Sequence, residues 1–405
     1  MKTPDVRMKG FGARASVAEV LALIAQRIQP LPSERVPFAR ALGRSLAETI
    51  IPSVDVPAFD KSAMDGYAVR AADLPGRLTV VGELMAKDQA PATLAPQTAV
   101  RVMTGAAIVP GADTVVMVED TRLEGSLVII DQRVPAGTHV LRRGEDLGAG
   151  RPILAPPRRL RPQDLAMLAT VSALEPAVRR RPRVRIVPTG NELVPVGTTA
   201  RGSEIVESNS FMIRALAERD GAECEIHPIV TDDAVRLRRV LEAPGADLVV
   251  ITGGSSVGKQ DLGPVVVREA GQLLVHGIHV KPASPTGFGF VGETAVLLAP
   301  GFPVASFVAW DLFGREILDR MLGLPPRLPY ATQLARLGQA LEKPEARTDL
   351  VRVRLSPNAE GEAVLRPIPG GAALLSTTTT ADGFILLPAG RARFEGGEAL
   401  LVHLY

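Results

Sequence analysis

Residues 246–261 read ADLVVITGGSSVGKQD, a short apolar, β-branched run that breaks into two glycines, two serines and, after Val257-Gly258-Lys259-Gln260, an aspartate. A run of this length between Gly245 and Gly253 predicts a strand with little polar alternation, as in a sheet covered on both faces. Working outward, VRIVP (184–188), SNSFMIRALAERDG (208–221), AECEIHPIV (222–230) and DAVRLRRVLEAPG (233–245) alternate strand and helix. Strands LLVHGIHV and AVLLA and a long helix from about Val304 to Leu322 follow. The pattern predicts a parallel sheet with helices on both faces, over residues 183–326. In the first of these helices Ser208 or Asn209 supplies the N-cap and Gly221 the stop.

The flanks read differently. Ser16 and Glu19 form an S-x-x-E capping box before apolar positions at helical spacing, so a helix is expected over roughly residues 16–29, ahead of Pro30. From about Val54 to Leu154 short β-branched runs (LTVVG, TAVRV, DTVVMVE, SLVIID) separated by Gly, Pro and Asp predict a compact all-β unit. The stretch from Pro156 to Pro182, with one helix near 162–169, reads as a return to the N-terminal part, making the β unit an insertion. After Leu324-Pro325-Pro326 the strands LVRVRL, AVLRPI, GFILLP and ALLVHLY predict a small C-terminal barrel. The boundaries expected are 1–53 with 151–182, 54–150, 183–326 and 327–405.

Composition narrows the function. The 405 residues are 46% hydrophobic and 22% charged, which fits several aliphatic cores. A single cysteine, Cys224, excludes an internal disulfide framework and any Cys-rich zinc site, and a reducing cytoplasm is the expected home. Neither a leader-like apolar stretch nor a membrane span is read, so no membrane association is expected. The arginines 158, 159, 161 and 179, 180, 181, 183 form two basic clusters, but no aromatic stacking platform accompanies them, and no nucleic-acid partner is expected.

In an open α/β sheet, ligands gather outside the carboxyl ends of the strands. Those ends deliver Thr189, Gly190, Asn191 and Glu192; Asp232 and Asp233; and Gly253, Gly254, Ser255 and Ser256 with Asp261. Glycine turns let backbone N–H groups approach an anion and serine hydroxyls add donors, which suits a phosphate or pyrophosphate. Carboxylates beside phosphates repel unless a hard cation lies between them. Taken alone, each turn has a simpler explanation: Gly-Gly after a strand is commonly just a tight turn, and Asp232 could cap the next helix. The convergence of three turns is what suggests a site. In the β unit, Asp65-Gly66, Thr104-Gly105 and the loop holding Arg142, Arg143, Glu145 and Asp146 read equally well as solvated turns.

The strings SAMDGYAV, RVMTGA, PGADTVV, RRGED, TGNEL, VTDD, GGSSVG, KPASP and APGFPVAS, in this order, resemble the molybdopterin molybdenumtransferase family, the MoeA and gephyrin E-domain type. The resemblance implies a multidomain α/β plus β protein: a MogA-like doubly wound parallel-sheet domain, an inserted β domain, a C-terminal β-barrel and an elongated N-terminal linker domain. It implies a homodimer whose cleft lies between the α/β domain of one subunit and the β domain of the other. It also implies a Mg2+-dependent transferase that converts adenylylated molybdopterin and molybdate to molybdenum cofactor and AMP, with cofactor-synthesis proteins and acceptor molybdoenzymes as further partners. The family's functional carboxylates carry over to Asp65, Asp146, Glu192, Asp232 and Asp261, with Asp232 and Asp261 the candidate cation ligands. Binding positions carry over to Thr104, Gly105, Thr189, Gly190, Asn209, Gly253, Gly254, Ser255, Ser256, Lys281, Pro282, Ser284, Pro300, Gly301, Pro303 and Arg352.

The chain departs from the family pattern where an oxyanion is expected. Ser284 stands for the second lysine of KPGKP, Phe302 for the asparagine of PGNP, Asn191 for the aspartate of TGDEL, and Gly371-Ala372 for a Gly-Ser pair. Losing an ammonium and a hydroxyl predicts weaker molybdate binding, unless Ser284, Thr286, Gly287 and Gly289 form a neutral nest of donors. Two other readings stand beside the active transferase: a non-catalytic molybdopterin or nucleotide carrier of the same family, and an unrelated sugar or nucleotide transferase on a similar fold.

Overall fold

A computed structural model describes residues 14–88, 93–254 and 261–405. The capping box forms: the Glu19 N–H donates to Ser16 Oγ at 3.2 Å and the Ser16 N–H to Glu19 Oε2 at 2.6 Å, starting the helix Val17–Arg27. Val20 and Ile24 on its inner face are fully buried, not against the N-terminal sheet but in the core of the α/β domain, beside Ile317 and Leu318. The helix expected as part of the linker thus packs as an element of the next domain.

The linker sheet itself has the order Ser33–Arg35, Ala177–Arg179, Ser45–Leu46, Arg158–Arg159. Its strands come from two distant segments, and the chain leaves after Leu46 and returns at Arg158. The buried carboxylate of Asp164 ties Arg158 and Arg161 and accepts from the Arg161 N–H at 2.9 Å, anchoring the helix Pro162–Thr170. Between the two segments lies a six-stranded sheet, Thr114–Met117, Gly66–Val69, Thr98–Val102, Gly76–Leu84, Leu127–Ile130 and Arg122–Glu124, with an apolar cluster on each face.

The α/β sheet runs Glu223–Ile226, Arg183–Pro188, Leu248–Thr252, Thr294–Ala299, Gly287–Val291, Gln272–His276. The central strand explains its apolar sequence: Leu248 and Val250 enter one core, Val249 and Ile251 the other. Its first four strands pair in parallel, as expected, and Gly287–Val291 and Gln272–His276 continue the sheet antiparallel at one edge. Only Gly292 and Glu293 separate Gly287–Val291 from Thr294–Ala299, and a link that short permits only antiparallel pairing. Gly289 is needed in this strand because a Cβ there would lie 2.1 Å from the Gln272 carbonyl oxygen.

The helix begun by Pro303–Ala309 continues through a π-turn, Trp310–Gly314, into Arg315–Met321. Trp310, the only tryptophan, is fully buried and donates to Asp220 Oδ2 at 2.9 Å. The C-terminal strands close into a five-stranded barrel, Thr348–Pro357, Ala363–Pro367, Ala331–Leu337, Ala399–Leu404 and Gly383–Leu387, the last pairing back with the first. Val280–Lys281 adds a short parallel strand to the barrel through Thr348 and Asp349. No helix among the described residues is long and apolar enough to cross a membrane.

Candidate functional site

Three strand ends of the α/β sheet converge as expected. Beyond Arg183–Pro188, the Thr189 N–H donates to the Thr252 carbonyl at 2.9 Å, locking two adjacent strand ends together. Gly253 follows with φ +91° and Gly254 with φ +54°, and a Cβ on Gly253 would sit 2.4 Å from the Thr189 oxygen. Only glycine permits that left-handed backbone and so close an approach. Gly190, at φ +151°, also has a backbone conformation that residues with a Cβ rarely adopt. Ser255 and Ser256 lie outside the described residues.

These turns open on a cleft of about 540 Å3. Of the expected site residues, Thr189, Glu192, Asn209, Gly253, Gly254, Asp261, Pro300, Gly301 and Pro303 line it. Asn209 begins the helix Asn209–Arg219, with Ser208 at the N-cap position, and its amide donates to the Gly301 carbonyl at 2.7 Å, fastening two walls of the cleft. Missed by sequence reasoning were Leu193, Ile205, Val206, Glu207 and Ser208, which arrive through a small parallel ladder of Leu193–Val194 with Ile205–Val206. Ala373 from the barrel also lines the cleft, and the neighbouring Ala372 carbonyl accepts from the Val304 N–H at 3.0 Å. Ile205 and Phe302 are 55% and 60% exposed, giving the cleft an apolar wall suited to a planar ring.

Asp232 does not cap the following helix. Asp233 does so, accepting from the Val235 and Arg236 N–H groups at 2.9 and 3.1 Å. Asp232 is held instead by Asn191, whose amide donates to Asp232 Oδ2 at 2.7 Å and accepts from the Asp232 N–H at 3.1 Å. This double bond pattern needs an amide, which accounts for the missing carboxylate in TGNEL: an aspartate would present oxygen to oxygen. Partial burial, then the negative charges of Glu192 and Asp261, push the Asp232 carboxyl above the usual carboxylate range. Such mutual repulsion fits a cation. No group of three or more acidic, His or Cys side chains stands ready to hold a metal among the described residues.

Others of the expected residues lie elsewhere in the chain. In the β domain, Asp65 Oδ1 accepts from the Thr104 N–H at 2.6 Å and the Thr104 hydroxyl at 2.8 Å. These two bonds, in that order, hold its carboxyl below the usual range. Gly105, at φ +86°, donates its N–H to the Ser62 carbonyl at 2.8 Å. Arg142 and Arg143 pair with Asp60 and Asp55, 2.8 and 2.6 Å away, the Arg142 N–H donates to Glu145, and the exposed Asp146 donates its own N–H to the Val56 carbonyl at 3.1 Å where the loop returns. Neither Asp65 nor Asp146 lines the cleft of its own chain.

Lys281, Pro282 and Ser284 also fall outside the cleft lining, though Pro285 belongs to it. The idea of a neutral donor nest fails here. Ser284 Oγ donates to the Ile278 carbonyl at 3.0 Å and Thr286 Oγ1 to the Ala283 carbonyl at 2.7 Å, while Gly287 and Gly289 are buried in a strand. Arg352, 5% exposed, donates to Thr377 Oγ1 at 2.6 Å and the Gly370 carbonyl at 2.9 Å, with its Nε unbonded. Burial lowers its pKa from the usual guanidinium value.

Comparison with known proteins agrees with this geometry along nearly the full chain. Residues 15–172 match the model of the MoeA N-terminal region (domain I and II), residues 185–320 that of the probable molybdopterin binding domain, and residues 334–405 that of the MoeA C-terminal region (domain IV). A protein of Synechococcus elongatus named molybdopterin molybdenumtransferase is 34% identical, covering 96% of this chain and 98% of that one. Molybdopterin molybdenumtransferase 2 of Mycobacterium tuberculosis is 32% identical with the same coverage, 96% and 98%. The crystal structure of a molybdopterin biosynthesis MoeA protein from Pyrococcus horikoshii superposes with a TM-score of 0.83 at 29% identity, covering 97% of this chain and 100% of that one.

Proposed function

The chain belongs to the MoeA family of molybdopterin molybdenumtransferases, and on that premise we propose that it inserts molybdate into adenylylated molybdopterin with release of AMP. The observation that carries this reading is the 540 Å3 cleft, in which glycine turns, carboxylates and an apolar wall meet. Gly253 and Gly254 let the backbone come close to the phosphates, and Phe302 and Ile205 offer surface to a ring system. No feature of the cleft favours a carrier role over turnover.

Asp232 and Asp261 are the residues that would hold Mg2+, and their crowding with Glu192 supports that assignment. Bound there, the ion would supply charge neutralisation at the phosphoanhydride. Asn191 positions Asp232 by bonding both its carboxylate and its N–H. The oxyanion side is expected near Lys281, Pro285 and Arg352. Arg352 brings a buried positive charge with no carboxylate among its hydrogen-bond partners, and Lys281 an exposed one.

The cleft of one protomer lacks Asp65 and Asp146, and both lie exposed on the β domain. We therefore assign them to the cleft of a second copy in a homodimer, where the ionised Asp65 orders the opposite wall or relays protons from the pterin's thiols to the molybdate oxygens that leave as water. Mixing Asp65→Ala with Asp261→Ala protomers tests this. Each parent should be nearly inactive, and heterodimers should regain activity through one intact composite site. Heterodimers no more active than the parents would remove the shared-cleft arrangement.

A further inference from the structure

The arginine cluster at 158–161 plays no part in the cleft above. Arg158, Arg159 and Arg161 instead join Arg219, Arg315 and Arg327 around a second cleft of about 580 Å3. It lies where the linker sheet, the helix Arg315–Met321 and the segment leading to the barrel meet. Charges there do not balance. Arg158 and Arg161 share Asp164, Arg219 bonds Asp220 and Asp311, and Arg315 pairs with Asp319. Six guanidinium groups thus meet four carboxylates, leaving two positive charges uncompensated within this set.

The excess can be located. Arg159 donates only to the carbonyl oxygens of Gly43 and Asp220, at 3.3 and 2.8 Å, and Arg327 is exposed and in no ion pair among the described residues. Burial, with Arg327 and Arg181 close by, pulls Arg159 below the usual guanidinium range. Independently, Arg315 Nε is buried without a hydrogen-bond partner, on a side chain 6% exposed that lines this cleft. A buried donor on a cation is costly to leave unmet.

Guanidinium forks match the oxygens of a phosphate, and two surplus charges match a dianion. The volume lies in the range of roughly 300–1,000 Å3 typical of small-molecule sites, well beyond a bare oxyanion. Leu42, Leu160, Leu324 and Pro325 supply apolar wall. We infer that this cleft binds a phosphate monoester on a small, partly apolar organic body, with Arg159, Arg315 and Arg327 holding the phosphate. Such a ligand clamps the linker sheet, through Arg159, to the α/β domain, through Arg315.

The test is calorimetric titration of the full chain with phenyl phosphate, inorganic phosphate and phenol, at ionic strength matched with chloride. Phenyl phosphate should bind saturably, more tightly than inorganic phosphate, and phenol not at all. Arg327→Gln should weaken phenyl phosphate at least about tenfold, the loss of one charge-assisted contact, whereas Asp261→Ala should leave it unchanged. Arg327 makes no ion pair, so its replacement keeps the fold; Arg159→Gln, which removes an interdomain bridge, is the second variant. Equal affinity for phenyl and inorganic phosphate would overturn the organic body. Binding that survives both arginine variants, that is lost in Asp261→Ala, or that never exceeds the chloride control would overturn the site.

Discussion

Asp65 in the β domain accepts two hydrogen bonds from Thr104, while Asp232 in the α/β domain sits among Glu192 and Asp261 with one bond from Asn191. The first carboxyl is drawn below its usual range and the second is pushed above it. Two acids that the sequence presents alike, each near a turn, are therefore tuned for different work. Asp65 stays ionised and accepts whatever approaches; Asp232 gains from a positive charge or a proton. Stability follows with opposite sign. Asp65 contributes above the unfolded carboxylate pKa of about 4 and loses that contribution as pH falls through its lower folded value. Asp232 is tolerated best below that same pH, and its repulsion grows as pH rises through its higher folded value.

The largest effect that would sharpen this contrast is expected from Asp232→Asn. Insertion of molybdate should slow by roughly 10- to 100-fold if the carboxylate helps hold the cation. Thermal stability at neutral pH should nonetheless rise, and the gain should vanish as the pH is lowered toward 4. A loss of both activity and stability would mean that Asp232 serves the fold through Asn191, and the contrast with Asp65 would break. Paired measurements of turnover and melting temperature across pH decide it.

Next in size, Thr104→Ala removes one of the two donors to Asp65 and keeps the backbone one. The Asp65 carboxyl should titrate closer to its usual range, followed by NMR of the carboxyl carbon. Turnover should fall by about three- to tenfold, in keeping with one hydrogen bond to a charged acceptor. An unchanged titration would show that the backbone N–H alone sets Asp65.

The smallest effect is expected at Ser284, where the chain has neither the lysine of the family pattern nor a free hydroxyl. Ser284→Lys adds an ammonium but removes the hydroxyl bond to the Ile278 carbonyl. The two changes partly offset, so the molybdate concentration for half-maximal insertion should fall by only about threefold, with nucleotide affinity constant. The same change with Phe302→Asn shows whether the exposed ring masks the gain. Molybdate dependence that moves in neither variant would mean the loop works through other groups.

Much of this architecture is legible because it follows from local rules. Ser16 and Glu19 cap a helix wherever that helix packs, and the buried strand Leu248–Thr252 must end in a turn facing the ligand side of the sheet. What local rules cannot supply is long-range company. Asp232 and Asp233 are equally good caps on paper, and only the position of Asn191, forty-one residues away, leaves one as the cap and holds the other beside Glu192 and Asp261. The alternating glycines 287 and 289 read as part of a donor nest until the Gln272 strand is laid against them. Ala373 reaches the cleft because a distant barrel docks on the start of the Pro303–Ala309 helix, a contact that no spacing encodes.

One apolar cluster contains Val20 and Ile24 from the first helix, Trp310 from the α/β domain, and Leu350 and Phe384 from the barrel. Its members thus come from near both ends of the chain, whereas the two clusters of the β domain are complete once Val140 has been made. During synthesis, then, the inserted domain can finish folding while the first helix still has no partner. That helix leaves the ribosome ahead of the inserted domain yet finds its place later, waiting on strands translated more than three hundred residues after it.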